Sequence, residues 1–161
     1  MDVMNKAQKL EPMIWKPNTT VAAIVEQSGK FLLVEEETDR GSRYNQPAGH
    51  LEDNETLLHA VIRETQEESA YGFTPTHLLG IYHWKLPQKD ITYLRFSFIG
   101  TVHSHQPTQK LDNGIIRAVW LSLDEIRELD KQHLTRSPQV LTCVEDYLSG
   151  KRFPLEVLTH L

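Results

Sequence analysis

Residues 49–68 read GHLEDNETLLHAVIRETQEE. A run of good helix formers follows residue 55, so the segment predicts a loop led by Gly49 and then a helix. Glu64, Glu67 and Glu68 fall at i, i+3 and i+4, which places them one turn apart on the same helix face. Three like charges at that spacing repel one another unless a cation offsets them. The segment therefore predicts a hard divalent-cation site beside a glycine-led loop, an arrangement that points to phosphate chemistry.

Strands are predicted on both sides of this helix. They cover Thr19–Val25 and Phe31–Glu36, which we expect to pair as a hairpin, and then Leu78–Trp84, Ile91–Thr101 and Ile115–Leu121. We expect Asp53 or Asn54 to cap the central helix, and Gly72 and Pro75 to end it. A short helix capped by Ser122 and a final helix over Ser137–Leu148 follow. The pattern predicts a mixed α/β (α+β) domain, with a sheet between helices.

The size and charge of the chain narrow its class. With 161 residues, 39% of them apolar, it suits one ordinary domain with a real core. We assign residues 1–15 to an N-terminal extension and residues 16–161 to that domain. The net charge of −5 argues against a nucleic-acid polymer or an anionic membrane as partner. We expect a small-molecule substrate, and a monomer or homodimer.

Cysteine usage and hydropathy indicate a compartment. Cys143 is the only cysteine, so no disulfide can form within the chain, and a reducing environment fits. No apolar run of about 18 residues is present, so no transmembrane helix is expected. We therefore expect a cytoplasmic protein.

The spacing Gly49-x5-Glu55-x7-Arg63-Glu64-x2-Glu67-Glu68 resembles the signature box of the Nudix hydrolases, the MutT-like family. Two positions depart from the family pattern. Thr65 replaces an aliphatic residue, and Ala70 replaces a glycine. An alanine with positive φ costs about 1 kcal/mol, so we expect Gly72 to take over the helix exit. Neither departure removes a carboxylate.

Further segments resemble the phosphatase NudJ branch of that family. They are Asn45–Glu52, Leu94–Phe96, Arg136–Pro138 and Tyr147–Glu156, and the likeness covers about residues 15–156. The resemblance implies the Nudix fold. It also implies metal-dependent hydrolysis of diphosphate linkages in nucleoside tri- and diphosphates and in hydroxymethylpyrimidine or thiamin diphosphate.

The acidic face supplies the proposed metal ligands. Glu64, Glu67 and Glu68 offer the oxygen ligands that Mg²⁺ or Mn²⁺ prefers. The resemblance adds the main-chain carbonyl of Ala48.

Catalytic roles follow from the same segment and from one downstream loop. Arg63 can pair with Glu55, Glu64 or Glu67 and so hold the carboxylates in register, and the resemblance favours Glu55 and Glu67. A carboxylate next to the attacking water would be the general base. We place Glu64 first in that role and Asp112 second, although Asp112 also suits a simple turn.

Substrate selection must come from outside the box. Tyr44, Gln46, Tyr82, Trp84 and Arg95 are candidates for stacking on a ring or gripping phosphate. Ordinary core packing is the competing interpretation of the aromatic residues. Arg95 lies in the middle of a predicted strand, where a buried unpaired charge would be costly.

Two other functions remain open at this point. One is a Nudix hydrolase of different specificity, acting on ADP-ribose or dinucleoside polyphosphates. The other is a catalytically silent, nucleotide-binding Nudix module, for which Ala70 is the only encouragement.

Overall fold

The computed structural model describes residues 12–161. Their elements are β1 (Asn18–Ile24), β2 (Glu26–Gln27), β3 (Lys30–Glu36), β4 (Arg43–Asn45), β5 (Ala48–His50), α1 (Leu57–Ser69), β6 (Gly72–Leu86), β7 (Ile91–His103), β8 (Ile115–Ser122), α2 (Leu123–Lys131), α3 (Gln139–Leu148) and a 3-10 turn at Leu155–Val157. Most of the proposed N-terminal extension, residues 1–11, lies outside the described residues. Residues 12–17 form no helix or strand.

The strands form two sheets of four strands each, one mixed and one antiparallel. The first has the order β5-β1-β7-β6, in which β1 and β7 are parallel and the other neighbours are antiparallel. In the second, β2 and β4 pair with opposite ends of β3, and β8 runs along the whole of β3. Because β8 occupies one edge of β3, β2 and β4 share the other.

The predicted hairpin of the first two long strands is wrong in its partners. The turn at Ser28 and Gly29 exists, but only the two-residue β2 pairs across it with β3. β1 joins the other sheet and pairs with β5 and β7. The local sequence predicts the turn correctly, but it contains no information about which distant strand pairs with β1.

Helices pack on both sides of the two sheets, α1 on one side and α2 and α3 on the other. The prediction of a sheet between helices is therefore confirmed. Val21, Ala23 and Val25 belong to a buried cluster that includes Ala60 and Val61 of α1. A second buried cluster joins Ile24 and residues of β3 to Ile126 of α2 and to Val140, Cys143 and Val144 of α3. β1 is therefore buried on both faces, which explains its continuous apolar sequence.

The ends of α1 differ from prediction at both termini. Thr56, rather than Asp53 or Asn54, is the N-cap, and its side chain accepts a hydrogen bond from the His59 N–H at 3.1 Å. At the other end the helix does not run on toward Gly72. Ala70 itself is the C-cap, in the left-handed conformation at φ 61°, and Gly72 already belongs to β6. The cap N–H still bonds the Gln66 carbonyl at 3.0 Å.

Among residues 12–161, none of the helices has the length and apolar character that a membrane crossing requires.

Candidate active site

A cavity of about 780 Å³ opens where α1, β5, the β6–β7 hairpin and the start of α3 meet. One half is acidic and is lined by Glu64, Glu68 and Asp112, with Ala48 and Gly49 beside them. The other half is lined by aromatic, hydroxyl, amide and guanidinium side chains: Trp84, Tyr93, Arg95, Ser137 and Gln139. The cavity therefore combines an acidic region with a region that suits an organic group.

Gly49 allows the closest approach in the acidic half. A Cβ atom at this position would overlap the carboxylate of Glu64. On the neighbouring residue, the Ala48 N–H donates to Glu68 Oε2 at 3.0 Å. The glycine-led loop thus lies directly against both buried carboxylates, as its position before the helix predicts.

Arg63 holds the acidic residues of the loop and the helix together. Its Nε and Nη2 bind the two oxygens of Glu55 at 3.0 and 2.7 Å, a bidentate pair. Its Nη1 donates to Glu64 at 2.8 Å and to Glu67 at 3.1 Å. Nη2 also donates to the carbonyl of His50 at 3.0 Å. One guanidinium therefore contacts all three carboxylates that the sequence offered as partners.

Burial governs the acidity of these groups. Desolvation raises the pKa of Glu64 although the neighbouring Arg63 opposes the shift. Desolvation also raises the pKa of Glu68 to about 8, and the charges of Glu64 and Asp112 add to the shift. Glu55, by contrast, has its pKa lowered by the hydrogen bonds from Arg63. Glu64 and Glu68 thus form a desolvated acidic pair, of which only Glu64 contacts Arg63.

This donor set fits a hard divalent cation in its chemistry. The cavity presents carboxylate oxygens and backbone groups, which are the ligands of Mg²⁺ and Mn²⁺. Within residues 12–161, however, no three acidic, histidine or cysteine side chains already stand close enough to enclose an ion. Arg63 holds one oxygen each of Glu64 and Glu67. The ligand roles of these glutamates and of Ala48 stay predictions.

Asp112 lies where a second catalytic carboxylate could act. Its N–H donates to the Glu67 carbonyl at 2.9 Å, which ties its loop to α1. Its carboxylate accepts from the Asn113 N–H at 2.9 Å, as a turn residue does. Asp112 also lines the cavity with Glu64 and Glu68, so the structure combines the two interpretations.

The five proposed substrate residues separate into two groups. Trp84 and Arg95 line the cavity. Gln46 lies behind them, buried, and accepts from Arg95 Nη1 at 3.2 Å. Tyr44 and Tyr82 pack instead against the cluster beneath α2 and α3, and the Tyr82 hydroxyl donates to Asp146 at 2.6 Å. These two tyrosines therefore lie in the position that core packing predicts.

Sequence reasoning missed several cavity residues. Glu36, at the end of β3, has its pKa raised by burial and lies 3.1 Å from Arg136 Nε. Ser137 and Gln139 reach the cavity from the start of α3. The charged end of an otherwise apolar strand was a usable signal for Glu36. For Ser137 the only signal was its place in the resembling segment Arg136–Pro138. Gln139 carried none, because its position depends on how α3 packs.

Comparisons with known proteins identify the family and the fold. The family model for the NUDIX domain matches residues 16–142. Phosphatase NudJ of Escherichia coli (strain K12) is 40% identical over 145 residues, which is 90% of this chain and 92% of that protein. A solved NUDIX hydrolase from Nitrosomonas europaea is 51% identical with a TM-score of 0.86, covering 91% of this chain and 98% of its own. A MutT protein from Methanosarcina mazei Go1, at 23% identity and a TM-score of 0.67 over 86% of this chain and 99% of its own, shares the fold.

Proposed function

The chain belongs to the Nudix family of hydrolases, and on that premise we propose that it cleaves diphosphate linkages in nucleoside tri- and diphosphates and in hydroxymethylpyrimidine or thiamin diphosphate. It is a hydrolase acting on phosphoric anhydrides. The substrate assignment draws on the likeness to phosphatase NudJ. The observation that carries the proposal is the pair of desolvated carboxylates, Glu64 and Glu68, in a cavity large enough for a nucleotide.

The metal would be Mg²⁺ or Mn²⁺, held by Glu64, Glu67, Glu68 and the carbonyl of Ala48. Such an ion supplies a water of lowered pKa and neutralises charge on the phosphoryl oxygens. Arg63 would orient Glu64 and Glu67 through Nη1, while its bidentate pair with Glu55 fixes the guanidinium.

The protein's own groups would handle the proton and the substrate. Glu64, whose pKa burial raises, would accept the proton of the attacking water as general base, with Asp112 as the alternative. Trp84, Arg95 and Gln46 would position the substrate. The partner would be a small molecule, and the protein would act in the cytoplasm as a monomer or homodimer.

A substrate panel tests this function. It contains nucleoside tri- and diphosphates, hydroxymethylpyrimidine diphosphate, thiamin diphosphate, ADP-ribose and a dinucleoside polyphosphate. We expect Mg²⁺-dependent phosphate release from the first four classes, with products identified by mass. Preferential cleavage of ADP-ribose or the dinucleotide would replace the proposal with that specificity. Binding without turnover across the whole panel would contradict it.

The metal assignment has its own variant. Glu67→Gln removes one proposed ligand charge and should lower turnover by orders of magnitude while circular dichroism stays unchanged. Glu145→Gln is the matched control, because Glu145 is an exposed helical glutamate that does not line the cavity. Near-normal rates in Glu67→Gln would contradict the ligand role of Glu67.

A further inference from the structure

Besides its carboxylates, the cavity contains three buried hydrogen-bond donors. Among the described residues, Arg95 Nε, Ser137 Oγ and Gln139 Nε2 make no hydrogen bond. Their residues are only 5%, 8% and 7% exposed, and all three line the cavity. The buried acceptor Glu36 Oε1 in the same cavity is in an ion pair with Arg136 Nε at 3.1 Å. A buried donor without an acceptor costs about 1–3 kcal/mol, so three in one place indicate a group that supplies acceptors.

Of the three residues, Arg95 has the strongest need for a hydrogen-bond acceptor. Its Nη1 and Nη2 donate to the side-chain oxygens of Gln46 and Asn45 at 3.2 and 3.0 Å. Both partners are neutral amides. Desolvation lowers the pKa of the Arg95 guanidinium, and the charges of Glu36 and Glu68 oppose this by raising it. The Arg95 Nε–H makes no hydrogen bond and belongs to a charged, buried group, and charge-assisted hydrogen bonds are the stronger kind.

An aromatic wall stands beside these donors. Trp84 and Tyr93 are cross-strand partners in the β6–β7 hairpin, with ring centroids 5.9 Å apart and planes within 15° of parallel. Tyr93 and Arg95 are two residues apart on β7, so they share a sheet face and are separated by about 7 Å. At that separation, a ring stacked on Tyr93 can accept a hydrogen bond from Arg95 at its edge.

The apolar side of this wall favours a ring over a phosphate. Leu86 and Ile91, which end β6 and begin β7, line the cavity together with Trp84 and Tyr93. A phosphate would gain nothing from such surfaces, whereas a planar ring would stack on them. The acceptors that Arg95, Ser137 and Gln139 lack are then those on the edge of the ring.

We propose that Arg95, Ser137 and Gln139 form a specificity subsite that donates hydrogen bonds to the acceptor edge of a planar heteroaromatic ring, such as the carbonyl and ring nitrogen of a pyrimidine base, stacked on Trp84 and Tyr93. The diphosphate of the same substrate extends to the acidic half of the cavity, and this part rests on the proposed function. Ser137 and Gln139 thereby act in selecting the substrate, and not in the reaction itself.

Gln139→Glu tests the subsite, because it replaces a donor by an acceptor of nearly equal shape. Cytidine triphosphate and inorganic tripolyphosphate are the probes, since only the first carries a ring. We expect KM for cytidine triphosphate to rise about tenfold or more with kcat little changed, and the kinetics with tripolyphosphate to stay as in the wild type. Gln27→Glu, an exposed site on β2, is the matched control.

Ser137→Ala is the second variant, because it removes only one hydroxyl group and retains the fold. It should raise KM for cytidine triphosphate severalfold and leave tripolyphosphate unaffected. Equal effects on both probes would show that the donors serve phosphate, and no effect on either would show that they serve no ligand. Each of these results overturns the proposal.

Binding without metal separates this inference from the proposed function. Cytidine monophosphate is titrated in the presence of a chelator and followed by NMR. If the wild type binds it and Gln139→Glu weakens binding about tenfold, the subsite stands even where no diphosphate is cleaved. If the wild type cleaves cytidine triphosphate but the variant binds the monophosphate equally well, the function stands and the subsite fails.

Discussion

Gly49 leaves space that any other residue would fill with its own side chain. A Cβ there would overlap the Glu64 carboxylate, which Arg63 holds in place at 2.8 Å. We predict that Gly49→Ala displaces this carboxylate and lowers turnover about 100-fold, the size of effect produced by misplacing a catalytic group by about 1 Å. Because the overlap involves the end of a flexible side chain, the melting temperature should change little. Turnover close to the wild-type rate would show that Glu64 does not act from this position.

Arg63 is a residue whose shape matters as much as its charge. Lysine cannot reproduce the bidentate pair with Glu55 together with the bonds to Glu64 and Glu67. We predict that Arg63→Lys lowers the free energy of unfolding by about 1–2 kcal/mol, measured with urea, and weakens Mn²⁺ binding. Arg117→Lys is the control, since that side chain is 61% exposed in its pair with Glu35 and such pairs contribute under about 1 kcal/mol. Equal losses in both variants would contradict the orienting role of Arg63.

At the scale of the element, α1 ends in a conformation that alanine rarely adopts. Ala70 has φ 61° and is 3% exposed, whereas Ala60 is helical and fully buried. In Ala70→Gly, relief of about 1–2 kcal/mol of left-handed strain offsets the lost buried methyl and the freer unfolded chain. We predict a change within about 1 kcal/mol there, and a loss of about 1.5–2.5 kcal/mol in Ala60→Gly, which has no strain to relieve. Equal losses by urea unfolding would contradict the strain at Ala70.

The elements also show what local sequence can and cannot predict. The existence of α1, of β7 and of the Ser122 cap of α2 followed from spacing and capping chemistry, and the capping box of Ser122 with Glu125 is present. The partner of β1 did not, because β7 lies more than 60 residues downstream and pairs through the backbone. Propensity places the αL exit at Gly72, because glycine favours that conformation. Gly72 instead begins β6, where it pairs with His103 of β7, so the exit lies at Ala70.

On the scale of the whole molecule, the two halves of the cavity differ in how far the sequence predicted them. Apart from Asp112, the acidic half lies within one loop and one helix, so the spacing alone predicts Gly49, Glu64 and Glu68. The other half is assembled from β7, β6 and the start of α3, which only the fold brings together. For this reason the sequence predicts Arg95 and Trp84 as substrate residues but not where they lie relative to each other. It does not single out Ser137 or Gln139 as a substrate residue.

That assembly predicts a pattern of backbone hydrogen exchange. Buried β1 should exchange only through global unfolding, whereas the exposed turn at residues 87–90, between β6 and β7, should exchange fast.

Gln88 and Lys89 of this turn line the cavity together with Gln139. Cytidine monophosphate, added without metal, should therefore slow exchange in the turn and at the start of α3 while leaving residues 123–131 of α2 unchanged. The experiment is mass-detected exchange with and without the nucleotide, and Gln139→Glu should remove the protection of both segments. Protection confined to α1 would instead place the nucleotide in the acidic half of the cavity alone.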